Sequence, residues 1–370
     1  MRVARIQTVF GATLLLATIA FGFQNCGQSA LMMNELPARE GLDAAPTPTP
    51  DPTPVVEKAI FYPGVNLSGG EYNEGKPNAQ LFTDYVFPNQ SQMKYYADKG
   101  LKVIRLPFDG NRLQPTRNGA LDTTELGHLR DVVNAARSEG LIVTLDPHNY
   151  GKLRMANGNE GLIGIAGEVS NAEFADFWAR VAVAFKNDAN VWFGIMNEPF
   201  MQTASYWQQS AAAAVAAIRA TGAKHKVLVP GTSWTGGHSW ISSGNAQVWE
   251  GFQDSNFAIE IHQYLDSDSS GTSATCIADS HQRLNGVTAW ARAQGVQLFL
   301  GEIGWSTNAL CMSEGDAVMA LLTTNRDVWL GYSYWSGGPW LGSYMFTIEP
   351  DNGVDRAQMD VLVRNFPPEE

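Results

Sequence analysis

VWFGIMNEPF, residues 191 to 200, holds large apolar side chains around one glycine and then breaks without transition into Asn197, Glu198 and Pro199. Apolar character that is continuous rather than alternating is what a strand covered on both faces requires, and such strands belong to parallel sheets. A carboxylate is costly at the tip of a buried strand unless the strand exists to present it. Seven other runs share this character: FYPGVNL (61–67), KVIRLPF (102–108), LIVTLDPH (141–148), KVLVPG (226–231), FAIEIHQY (257–264), VQLFLGEIG (296–304) and VWLGYSYW (328–335).

Between the runs lie segments of helical pattern, among them LDTTELGHLRDVVNAARSEG, NAEFADFWARVAVAFKND and SYWQQSAAAAVAAIRATG. The first and third close on Gly, a common helix stop. Alternation of this kind means βα units with right-handed crossovers. Eight such units predict an α/β chain folded as a single closed (β/α)8 TIM barrel. An open doubly wound sheet is the alternative, but GVNLSGGEYNEG, which follows the first run, has no G-x-G-x-x-G spacing.

The totals agree with one large domain. The chain has 370 residues, 44% of them apolar, and a formal net charge of −12. Acidity of this size argues against nucleic acid as a partner, because phosphate binding rests on clustered Lys and Arg. The N-terminus carries Arg2 and Arg5, an apolar run from about Val9 to Phe23, and then Cys26. Residues 1–25 are therefore predicted to be a secretory signal, excluded from the fold. A cysteine directly after the apolar run suggests lipoprotein processing with Cys26 acylated, although Phe23, Gln24 and Asn25 depart from the usual pattern. Simple cleavage and release is the alternative. Residues 26–58 form a polar linker ending in APTPTPDPTP, whose prolines favour an extended spacer. The catalytic domain is predicted to occupy 59–370, exported and monomeric, touching a membrane only through the lipid. In an exported chain the remaining pair, Cys276 and Cys311, is expected to form a disulfide rather than a metal site.

In a barrel, function gathers at the C-terminal ends of the strands. Arg105, His148, Asn197 with Glu198, His262 with Tyr264, Glu302, and Trp335 each stand near the end of a different run. Glu198 and Glu302 belong to distant parts of the sequence, yet both would project over one mouth. Facing carboxylates are the equipment of glycoside hydrolysis, one giving a proton to the leaving oxygen and one acting as nucleophile or base. Arg105 and the two histidines supply positive charge, and Asn197 suits a sugar hydroxyl. Trp234, Trp240, Trp305, Trp335 and Trp340 also fall on or after strand ends, where each is read equally as core packing or as a platform for a sugar ring, with Trp335 the foremost platform candidate. Asp146 is read equally as orienting His148 or packing structurally. DSDSSG (266–271) imitates the start of a calcium loop, but the twelfth position is Ile277 instead of Glu, so a structured loop is the better reading.

RLPF, DPHNY, GIMNEP, HQYLDSDSSGT, GEIGW and the C-terminal YW together resemble glycoside hydrolase family 5, in particular its fungal-type endo-β-1,4-glucanase subgroup. The likeness spans roughly residues 60 to 350, and HQYLDSDSSGTSATC is its most specific stretch. The resemblance implies a retaining endo-β-1,4-glucanase with Glu198 as acid/base and Glu302 as nucleophile. It further implies Arg105, His148, His262 and Tyr264 as supports, Trp335 as the floor of the cleavage subsite, a β-glucan substrate such as cellulose, and no metal or organic cofactor. Phe200 and Ile303 depart from the residues common in that branch, which leaves the preferred chain open. A related glycanase acting on mannan, mixed-linkage glucan or xyloglucan is the alternative enzyme. A non-catalytic glycan-binding protein is disfavoured because both carboxylates are present.

Overall fold

The structure, a computed structural model, describes residues 60–367. The predicted signal peptide, Cys26 and the predicted linker lie outside the described residues. Eight parallel strands close into a barrel: β1 (Tyr62–Leu67), β2 (Val103–Phe108), β3 (Ile142–Pro147), β4 (Val191–Gly194), β5 (Val227–Pro230), β6 (Phe257–His262), β7 (Leu298–Ile303) and β8 (Trp329–Gly337). Each strand lies within, or nearly coincides with, one of the eight apolar runs. The ring shuts where Tyr62 of β1 pairs with Gly331 of β8.

A helix follows each strand: α1 (Gln90–Asp98), α2 (Thr123–Ser138), α3 (Asn171–Phe185), α4 (Ala204–Ala220), the single turn α5 (Asn245–Val248), α6 (Asn285–Gln294), α7 (Ala309–Thr324) and α8 (Ala357–Arg364). Local chemistry sets where several of them start. Ser170 and Glu173 form a reciprocal capping box at α3, Asn89 and Gln92 form one at α1, and Asp122 and Thr203 cap α2 and α4. From the helices, Trp178 Nε1 donates to the carbonyl of Ile195 at 3.0 Å and Trp207 Nε1 to that of Pro230 at 2.7 Å. These bonds pin the ends of β4 and β5, which is where the site begins.

Two apolar layers hold the barrel. Inside, Val103, Trp192, Leu228, Ala258, Phe299 and Leu330 pack with Tyr62 and Ile142, one residue from each strand, and plug the bottom. Outside, a larger cluster including Val65, Ile104, Val143, Phe193, Val229, Ile259, Leu300 and Tyr332 packs with apolar helix faces such as Phe174, Trp178, Trp207 and Met319. Both faces of every strand are covered, which is why the runs are continuous in sequence.

β4 is shorter than its run. Regular pairing ends at Gly194, while Ile195 N–H still donates to Leu228 and Asn197 N–H to Pro147, so the chain keeps its direction up to Glu198. β7 is irregular in a different way. Its register against β6 slips so that Ile261 pairs with Leu300 but His262 with Glu302, a bulge centred on Gly301. Strict alternation would send Glu302 outward; the extra residue turns it into the barrel beside His262.

The bulge also needs a glycine. A Cβ on Gly301 would sit 2.2 Å from Glu260 Oε1, whereas one on Gly194 would meet Thr144 Cγ2 only at 3.2 Å. Gly301→Ala is therefore expected to lower stability by about 1–3 kcal/mol, read as a fall in the urea midpoint, with Gly194→Ala costing clearly less. Equal costs for the two would contradict this account of the bulge.

Candidate active site

All eight strand-end residues converge on the C-terminal mouth. Arg105, on β2, is fully buried. Its Nε donates to Glu260 Oε1 (2.8 Å), Nη1 to Glu302 Oε1 and Asn66 Oδ1 (both 3.0 Å), and Nη2 to Asn197 Oδ1 (2.9 Å). Asp146 approaches Nη1 at 3.1 Å and accepts from His148 Nδ1 at 2.8 Å, so it orients the histidine and balances the arginine together. Tyr264 O–H donates to Glu302 Oε2 at 2.7 Å, and His262 Nδ1 lies 2.8 Å from Glu198 Oε1.

Glu198 stands on strained backbone, with φ of 40°. The site is thus presented by one left-handed residue on β4 and one bulge on β7. One carboxylate oxygen each from Glu198 and Glu302 and a nitrogen of His262 all lie within 4.8 Å of one another. These three could in principle surround a cation. The ring of His262, however, faces a carboxylate at each nitrogen, Glu198 at Nδ1 and Glu260 at Nε2 (3.3 Å), which favours the doubly protonated form with no lone pair to offer a metal.

The two glutamates sit in opposite electrostatic environments. Burial pushes the pKa of Glu198 up, the Glu302 charge pushes it further, and His262 offsets this only in part. Burial acts on Glu302 as well, but His262, Arg105, His148 and the Tyr264 hydroxyl together hold it below the ordinary carboxylate value. Burial opposes the charge on His262, and Glu302, Glu198 and Glu260 overcome it, raising its pKa to about 10. Burial and the two glutamates drive the Tyr264 hydroxyl far above its ordinary range, so it stays a donor. The site thus favours the proton on Glu198 and the charge on Glu302.

Aromatic pairs flank this centre. Trp335, half-buried, stacks on His148 with centroids 5.3 Å apart. From the β8 and β1 loops, Trp340 lies over Tyr72 at 6.5 Å; from the β5 and β4 loops, Trp234 stacks on Phe200 at 4.8 Å with planes 10° apart. Trp234 is 52% exposed. Ser233, Trp234 and Thr235 all adopt left-handed backbone with φ of 55°, 55° and 51°. They are held there as Gly231 N–H donates to Thr235 Oγ1 (2.8 Å), that hydroxyl donates to the Glu260 carbonyl (2.5 Å), and Trp234 N–H donates to Pro199 (3.0 Å). Beside Trp234 a cavity of about 400 Å³ is lined by Glu198, His238, His262, Tyr264 and Ser269.

Two of the five strand-end tryptophans are not platforms. Trp240 and Trp305 are fully buried, Trp240 against Trp290 and Trp305 against Tyr334. Trp305 packs so tightly under α7 that a Cβ on Gly315 would meet it at 2.4 Å. The loop after β6 is built around Asp266, whose carboxylate accepts from Ser270 Oγ and from the N–H groups of Gly271, Thr272 and Ser273 at 3.1 to 3.2 Å. Its oxygens are spent on its own loop, and the Cys276–Cys311 disulfide ties the loop end to α7. Asn66 and Glu260 were not singled out from sequence. Glu260 was within reach, since it precedes His262 by two and shares its face.

Opposed carboxylates over a barrel mouth, one shielded and one charge-stabilised, place the protein among glycoside hydrolases. The chain belongs to glycosyl hydrolase family 5, the cellulase family, whose model matches residues 62–338. It is 33% identical over 310 residues to endoglucanase gh5-1 of Neurospora crassa, covering 82% of this chain and 77% of that one. Among solved structures it resembles XacCel5A in complex with cellopentaose, with a TM-score of 0.79, 40% identity, and 83% and 99% of the two chains covered. It also resembles the endo-beta-1,4-glucanase Xac0029 of Xanthomonas axonopodis pv. citri, with a TM-score of 0.79, 39% identity, and 83% and 98% covered.

The protonation states translate into a pH profile. Turnover requires Glu302 ionised and Glu198 protonated, so kcat/KM should be bell-shaped, with an acid limb below and an alkaline limb above the ordinary glutamate value of 4.5. With an aryl cellobioside carrying a good leaving group, Glu198→Gln should keep the acid limb and lose the alkaline one.

Proposed function

We propose that the protein is an endo-acting β-1,4-glucanase that hydrolyses internal bonds of β-glucan by retaining double displacement, with Glu198 as acid/base and Glu302 as nucleophile. The observation that carries this is the close approach of two carboxylates with opposite protonation preferences, one oxygen of each lying within 4.8 Å of the other. Retaining enzymes hold theirs about 5–5.5 Å apart, leaving no room for a water between carboxylate and sugar.

The ionised Glu302 attacks the anomeric carbon as Glu198 passes its proton to the glycosidic oxygen; the C–O bond breaks and a glycosyl ester forms on Glu302. Water then enters, Glu198 takes its proton, the new oxygen bonds to the same carbon, and Glu302 leaves as carboxylate. Tyr264 and Arg105, which bond the two oxygens of Glu302, hold one face of the carboxylate toward the sugar. Asn197 Nδ2 is buried without a partner, a donor suited to a sugar hydroxyl. Trp335 supplies the floor. Endo action is supported by topology: the Tyr72–Trp340 pair comes from β1 and β8 loops and the Phe200–Trp234 pair from β4 and β5 loops, on opposite sides of the ring. A groove with platforms on both sides of the cut accepts a chain in its middle. Relatives named as endoglucanases and the cellopentaose bound by XacCel5A support the same substrate class.

The enzyme is further proposed to be exported through residues 1–25, spaced by the 26–58 linker, held at a cell surface by an acylated Cys26, and monomeric; the support is the N-terminal sequence pattern.

On carboxymethylcellulose, lichenan and mannan assayed side by side, the first two should be cut internally. Glu302→Gln should lose about 10⁴-fold or more on every substrate. Glu198→Gln should lose about 10²–10⁴-fold on polysaccharide, but retain the first step on an activated aryl cellobioside and respond to azide. Near-normal activity of Glu302→Gln on soluble β-glucan would falsify the nucleophile assignment. Cys26→Ser should release the protein from membranes; a variant still anchored there speaks against acylation.

A further inference from the structure

Glu260 is a buried carboxylate that the double displacement does not use. Its side chain is 1% exposed and lies on β6, two residues before His262 and on the same inward face. Oε1 accepts from Arg105 Nε at 2.8 Å and from His262 Nε2 at 3.3 Å, while Oε2 is buried with no hydrogen-bond partner. A carboxylate so placed is a poor choice for stability alone, since desolvating it is costly and a neutral side chain of the same shape would fill the space. Gly301 leaves the room that Glu260 Oε1 occupies.

Its chemical effect falls on the far side of the histidine. With an acceptor at each nitrogen, His262 is held as an imidazolium that donates from Nδ1 to Glu198 and from Nε2 to Glu260. The acidic proton of Glu198 must then sit on its other oxygen, free for the leaving group. Without the Glu260 charge, His262 and Glu198 both give up a proton more easily, so Glu198 loses the acidic proton the reaction needs at a lower pH. We infer that Glu260 is a positioning residue of the reaction: through His262 it keeps the acidic proton of Glu198 available to the substrate, and through Arg105 it fixes the Glu302 carboxylate. This rests on the roles proposed above for the two glutamates.

The charged groups around Glu260 are few and all bear on the outcome. Arg105 faces it from β2 and His262 from its own strand. Behind Arg105 stand Asp146 on β3, paired with His148, and Glu302 on β7; behind His262 stand Glu198 at the β4 tip and Glu302 at 3.6 Å. β1 contributes the neutral Asn66. Burial pushes against the charge on Glu260, and Arg105 and His262 outweigh it, holding it below the ordinary carboxylate value. Removing one fixed negative charge from this set makes every other proton easier to lose. His262, Glu198 and Glu302 should all shift to lower pKa, and the whole bell should move toward acid.

The test is Glu260→Gln in the purified full chain on soluble β-glucan. Both limbs of kcat/KM are expected to move down by about one pH unit, with kcat at the wild-type optimum falling about tenfold and KM changing less than about threefold. By ¹⁵N NMR, the His262 titration midpoint should fall by a similar amount. A profile that only drops in height, with both limbs and the His262 midpoint unmoved, overturns the inference. If the variant does not fold, the wild type decides: both His262 nitrogens should carry protons at pH 7, and a neutral ring there overturns it. An aryl cellobioside with a good leaving group separates this from the parent reading. If the wild-type alkaline limb is the same with and without the activated leaving group, Glu198 is not the acid, whatever Glu260→Gln does.

Discussion

The guanidinium of Arg105 is the interaction on which the site depends. It is a permanent charge with no exposure to solvent, in the centre of a barrel where an unpaired ion is prohibitive. Its stability comes from what surrounds it: Asn66 of β1, Asp146 of β3, Asn197 at the tip of β4, Glu260 of β6 and Glu302 of β7, each within 3.1 Å. With its own position on β2, one side chain joins six of the eight strands. The planar fork also sets directions that a lysine ammonium does not, because each nitrogen addresses a different partner. Glu302 is oriented by that fork before any sugar arrives.

From this hub the division of labour between the two glutamates follows. Glu302 lies on the cationic side, against Arg105 and within reach of His262, and accepts from Tyr264. Among the described residues Glu198 has His262 as its one ion-pair partner, with His148 acting from farther off, and is surrounded by buried surface and the charge of its counterpart. One carboxyl is therefore stabilised as an anion and the other as an acid, by placement and not by residue type. The aromatic pairs extend the same geometry outward. Phe200, which departs from the residue common in the branch, forms a stacked apolar shelf with Trp234.

Much of this was legible because a two-face-buried strand writes its burial directly into sequence, as in VIRLPF and FAIEIH, and because a barrel collects strand ends at one mouth. What escaped was decided by side-chain direction. Trp240 and Trp305 follow strand ends like Trp335, yet both turn into the layer under the helices, and nothing local distinguishes them. Glu260 looked like an ordinary strand interior because its partners, Arg105 and His262, acquire meaning only once β2 and β6 face one another. The Asp266 loop is an intermediate case: the missing twelfth calcium ligand was visible, whereas the satisfaction of Asp266 by its own backbone needed the folded turn.

By itself the sequence determined the barrel, through eight apolar runs spaced by helices, and the identity of the groups at its mouth, through the polar residues that end those runs. Only the tertiary structure decided how those groups are aimed and charged. Glu302 faces inward because a bulge at Gly301 shifts its register, and Glu198 reaches the mouth on left-handed backbone. Their protonation depends on distances to Arg105 and His262, which belong to strands far away in the chain. Burial is a property of a segment and is readable locally, whereas direction and pKa belong to an assembled neighbourhood.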